Sequence, residues 1–93
     1  MARFIFSFDL HVEADAYEGA KDDLELALKR GGFSIMNNSV ASTYVLHRDT
    51  AIREGDVTEV FRNVLKEFVH SISYIVAEIV YNYVVYPEED RKV

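Results

Sequence analysis

The sequence predicts an α+β fold: a four-stranded antiparallel sheet with two helices on one face, in the order β-α-β-β-α-β of the ferredoxin-like sandwich. Three observations predict it. Aromatic residues alternate at Phe4, Phe6 and Phe8, helical periodicity runs from Tyr17 to Leu28 and again from Val57 to Phe68, and β-branched or aromatic runs lie between and after those stretches.

Over residues 2–10, Phe4, Phe6, Phe8 and Leu10 alternate with Arg3, Ile5, Ser7 and Asp9, a period of two. This predicts a strand with one aromatic core face, which leaves Ile5, Ser7 and Asp9 on the opposite, helix-free face. Asp15 and Glu18 have capping-box spacing, and Tyr17, Ala20, Leu24, Ala27 and Leu28 then recur as one helical face. Lys29 and Arg30 suit the negative end of that helix, and Gly31-Gly32 permits its exit. Two short strands are expected over 33–36 and 40–47, joined around Asn37-Asn38, a pair that tolerates the positive φ of a tight hairpin or a bulge. Asp56 and Glu59 offer a second capping box ahead of Val57, Val60, Phe61, Val64, Leu65 and Phe68. A last strand is expected from Ile72 to Tyr86, apolar on both faces, and Pro87 then closes a single domain over residues 1–87. A charged tail, 88–93, follows.

Composition narrows the function classes. A chain of 93 residues buries only a little over ~60% of its unfolded surface, so a second copy would supplement a modest core. No apolar run reaches the ~18 residues of a membrane span, and Met1-Ala2-Arg3-Phe4 leads directly into strand alternation rather than an export signal. The absence of cysteine excludes disulfides and thiolate metal sites and fits a reducing, cytoplasmic setting. Sixteen acidic against ten basic residues give a net charge of -6, which opposes broad adsorption to nucleic acid or anionic lipid. No histidine pair has zinc-motif spacing, no glycine-rich phosphate loop follows a strand, and no serine sits in a nucleophile elbow.

Phe8-Asp9-Leu10, Ala16-Tyr17, Asp22-Asp23-Leu24, Gly32-Phe33 and Ser39-Val40, taken in order, resemble the pattern of the virulence-associated protein D (VapD) family and, more distantly, the CRISPR-associated protein 2 family. The likeness covers the first forty or so residues. Beyond them it rests on element order and on Ser71-Ile72 ahead of the last strand. It implies a small homodimeric endoribonuclease, possible toxin of a toxin-antitoxin pair, that cleaves RNA with Mg²⁺. On the same likeness Asp9 is the catalytic and metal-holding carboxylate and Ser39 a second catalytic group.

Asn37 and Asn38 would orient the RNA strand, and His11, two residues beyond Asp9, is the one histidine expected to reach the same cleft. The chain departs from the family pattern in three places. The relatives' Gln-Gly ahead of Ser-Val is replaced by Asn37-Asn38, the aromatic after that pair is replaced by Ala41, and the polar position early in the last strand falls on Tyr74. An alternative reading keeps the dimer, formed through the open sheet face and the last strand, without the catalysis. Glu13, Asp15, Glu18, Asp22, Asp23 and Glu25 crowd the first helix, a negative strip suited to an interaction module or to an inhibitor of a nucleic-acid-binding partner.

Overall fold

The alternation at the N-terminus becomes strand β1, Ala2–Leu10, whose residues switch regularly between buried and accessible along its length. The computed structural model describes residues 2–85. After β1 come α1 (Tyr17–Arg30), β2 (Phe33–Val40), β3 (Thr43–Arg48), α2 (Val57–Val64) and β4 (Ile72–Glu78), with a short 3-10 turn before each helix and another after α2. The strands form one sheet in the order β2-β3-β1-β4, with every neighbouring pair antiparallel. This is an α+β, ferredoxin-like arrangement, as the periodicities predict.

The aromatic face of β1 is the centre of the core. Phe4, Phe6, Leu24, Leu28, Tyr44, Leu46 and Phe61 are all fully buried, which joins β1 and β3 to both helices. Phe61 of α2 touches the rings of Phe4 and Phe33, at centroid distances of 5.6 and 4.8 Å. Burial of side chains of this size contributes roughly 1.5–3 kcal/mol each.

Four local expectations are corrected by the structure. Neither capping box forms. Ala16 and Asp56, the residues that precede the helices, already have near-helical φ and ψ and make no side-chain cap, and Asp15 lies inside a 3-10 turn. Backbone bonds turn the chain instead, Ala16 N–H donating to Glu13 and Asp56 N–H to Arg53. The hairpin turn is at Ala41-Ser42, where Ser42 takes φ 60°, and not at Asn37-Asn38. Asn37 and Asn38 instead belong to β2, which fits eight residues against the six of β3 through two register shifts, between Ile35 and Asn37 and between Asn37 and Val40. α2 ends at Val64, and a 3-10 turn delivers the buried Phe68.

The last correction concerns β4, which ends at Glu78 rather than running to Tyr86. Its partner explains why. Phe4 pairs with Glu78, and Ile79 N–H donates to the Arg3 carbonyl, so β1 is nearly exhausted at that point. Residues 81–85 carry no strand, and Tyr86 with the charged tail lies outside the described residues. No helix among the described residues is long and apolar enough to cross a membrane.

Candidate functional site

Strand alternation sends Arg3, Ile5, Ser7 and Asp9 to the face without helices, and the register decides what meets them. Asp9, the penultimate residue of β1, stands directly opposite Ser73 of β4. Opposed side chains on one face have Cβ atoms about 4.5–5.5 Å apart, so the Asp9 carboxylate and the Ser73 hydroxyl are neighbours. His11 joins them. Its backbone N–H donates to the Ser71 carbonyl at 2.8 Å, and its Nε2 shares a 2.8 Å hydrogen bond with Ser73 Oγ.

Asp9, Ser73 and neighbouring Ser7 and Ile75 line an open groove of about 260 Å³. Ser7 Oγ shares a 3.3 Å hydrogen bond with Thr43 Oγ1, so a polar strip continues onto β3. Asp9 and His11 are both exposed, hence accessible to a large substrate. Chemically, the His11–Ser73 contact is within the reach of a base and a hydroxyl. It falls short of a triad, because among the described residues no carboxylate holds the second ring nitrogen.

The structure brings Asp9 and His11 together and leaves Asn37, Asn38 and Ser39 elsewhere. Those three lie on β2, separated from β1 by the whole of β3, which is two strand spacings or about 10 Å. Ser39 is engaged locally: its backbone N–H and its Oγ both donate to Asn37 Oδ1, at 3.0 and 2.9 Å. Such an Asx-type contact fits a bulged strand. Tyr74 faces the core, its ring 5.6 Å from that of Phe6, so the polar position of this strand is its neighbour Ser73. Sequence reasoning missed Ser73. Alternation about a core-facing Tyr74 is the signal that would have put Ser73 and Ile75 on the open face.

The donor set bears on Mg²⁺. Among the described residues no three His, Asp or Glu side chains gather as a metal cage. Mg²⁺ commonly uses one or two carboxylates and keeps several waters, so exposed Asp9 fits the ion in that water-rich manner, or with a second carboxylate from another copy.

A strongly perturbed group away from this site, Tyr44, is structural. Its phenol is buried beneath α1 and donates to Glu25 Oε2 at 2.6 Å. Burial first, and the adjoining Glu25 carboxylate second, push its pKa well above the ordinary tyrosine range.

Compared with known proteins, the chain matches no family model and no curated protein.

Proposed function

We propose that the protein is a small endoribonuclease similar to the VapD family, acting as a homodimer at a site built on Asp9, His11 and Ser73. The observation that carries this reading is the convergence of a carboxylate, an imidazole and a hydroxyl at one end of the helix-free face, where Asp9 and Ser73 line an open groove and His11 is bonded to Ser73.

In this mechanism His11 Nδ1, the ring nitrogen that the Ser73 hydrogen bond leaves free, accepts the proton of the attacking hydroxyl as its oxygen bonds to phosphorus. The P–O bond to the leaving oxygen breaks, and that oxygen takes its electron pair and then a proton from solvent. Ser73 orients the imidazole ring of His11 through their hydrogen bond at Nε2. Asp9 would hold Mg²⁺, which when bound supplies positive charge to the developing phosphoryl oxygens. Exposed Ile5 and Ile75 on the same face support pairing with a second copy, since exposed apolar clusters mark association surfaces.

The test is cleavage of a mixed RNA pool, with and without Mg²⁺, by nuclease-free protein and by Asp9→Asn prepared identically. The variant is expected to keep its circular dichroism spectrum and lose about 10²-fold or more in cleavage. Equal cleavage by both proteins would remove Asp9 from the site. Two folded proteins that leave RNA intact would overturn the nuclease reading and favour an interaction module acting through the exposed acids of residues 13–23.

A further inference from the structure

The opposite end of the helix-free face carries a larger cleft that RNA cleavage at Asp9 does not use. It encloses about 550 Å³, and its walls include Arg3, Met36, His47, Glu78, Val80 and Tyr83. That volume is typical of a small-molecule site. Arg3 and Asp9 share a face of β1 but stand six residues apart, about 20 Å along the strand, so the two sites are distinct.

Its walls follow from the register and the bulge. Arg3 pairs with His47 across β1 and β3, and the register shift after Ile35 accompanies the exposure of Met36 at 54%. The chain leaving β4 closes one side: Arg3 Nη2 donates to the Tyr81 carbonyl at 3.5 Å, and its guanidinium carbon lies 5.9 Å from the Tyr83 ring centroid. Two polar groups there are left wanting. Arg3 has no carboxylate within ion-pair distance among the described residues. Buried His47 Nε2 has no hydrogen-bond partner, since Asp49 Oδ1, at 3.7 Å, is too distant to serve as one. A buried ring nitrogen without a partner calls for an explanation, and a turn of the ring toward the cleft would give it a ligand atom as partner.

We infer that this cleft binds a small organic anion, a single carboxylate or phosphate group on an apolar or aromatic body. The oxyanion sits against the Arg3 guanidinium and His47 Nε2, and the body lies on Met36, Val80 and Tyr83. Arginine suits this role because its planar fork matches both carboxylate and phosphate oxygens. The bounded volume of the cleft suits a compact anion rather than a polyanionic strand. This inference stands apart from the nuclease reading and does not depend on it.

The experiment is a titration of the intact ¹⁵N-labelled protein with benzoate, phenyl phosphate, inorganic phosphate and a short single-stranded oligoribonucleotide. One of the two aromatic anions is expected to give saturable shifts centred on Arg3, His47 and Tyr83, with a Kd of about 1 mM or tighter. Arg3→Gln should weaken that binding about tenfold or more. Val80→Asp, at a position 72% exposed, should abolish it without touching the core, and Arg62→Gln on α2 should leave it unchanged. Absence of saturable shifts with both aromatic anions would overturn the proposal, as would undiminished binding to Arg3→Gln. Inorganic phosphate or the oligoribonucleotide binding as tightly as the aromatic anions would also overturn it.

Discussion

Tyr44 and Asp9 show how one sheet sets opposite fates for two ionisable side chains. Tyr44 faces the helices, fully buried, with its hydroxyl on Glu25, whereas Asp9 faces solvent beside Ser73. The environment of Tyr44 favours the neutral phenol, so the folded state holds that proton more tightly than the unfolded chain does. The stabilisation is therefore complete below the unfolded tyrosine pKa of ~10 and is lost as pH rises above it. Tyr44→Phe is expected to cost about 1 kcal/mol at neutral pH, since half-buried Glu25 keeps some access to water. The same variant should show a shallower loss of stability above pH ~10. Urea unfolding between neutral pH and ~11 checks both, and an unchanged alkaline slope would show that Tyr44 does not titrate in this way. Asp9 has no such structural duty, which is why Asp9→Asn tests cleavage without endangering the fold.

At the scale of elements, the end of α1 separates two uses of glycine. Gly31 has an ordinary negative φ but no room: a Cβ there would lie 2.6 Å from Val64 Cγ2 and 3.0 Å from Cγ1. Gly32 has room but takes φ +92°, the left-handed exit that favours glycine. Gly31 thus permits α1 and α2 to approach, and Gly32 turns the chain into β2. Gly31→Ala is expected to cost about 1–3 kcal/mol through overpacking. Adding Val64→Ala should make the two changes couple favourably by about 1 kcal/mol, because the truncated side chain no longer clashes. Gly32→Ala should cost roughly 1–2 kcal/mol with no relief from Val64→Ala, since its penalty lies in the backbone. Denaturant unfolding of the set decides. Additivity of Gly31→Ala with Val64→Ala would refute the contact.

For the whole molecule, the uneven treatment of the two sheet faces is the dominant fact. One face carries both helices, and the other exposes Ile75 at 75% and Ile5 at 38% between an arginine end and an aspartate end. Both helices of the described residues lie on one face, and in the proposed homodimer a second copy would cover the other. Sedimentation velocity at tens of micromolar is expected to show a dimer. Ile75→Lys should convert it to a folded monomer, because a charge at the centre of that contact is left without solvent or partner. A wild-type monomer at that concentration would refute pairing through this face. A dimer that persists unchanged in Ile75→Lys would move the interface elsewhere.

The sequence by itself determined the α+β class, the order of six elements, the aromatic face of β1 and the exposure of Asp9, because all of these follow from local periodicity. Period two and period 3.6 are written into neighbouring residues and need no knowledge of partners. Only the tertiary structure decided the rest. The length of β4 depends on where β1 begins, a fact held more than seventy residues away in the chain. The hairpin turn moved to Ala41-Ser42 because two bulges absorb the extra length of β2, which pairing with β3 alone reveals. The candidate site divided for the same reason. Asp9, His11 and Ser73 meet because β1 and β4 are adjacent, and Asn37, Asn38 and Ser39 stand apart because β3 lies between. Strand register is a long-range property, set when buried faces are matched across the sheet, and no local pattern carries it.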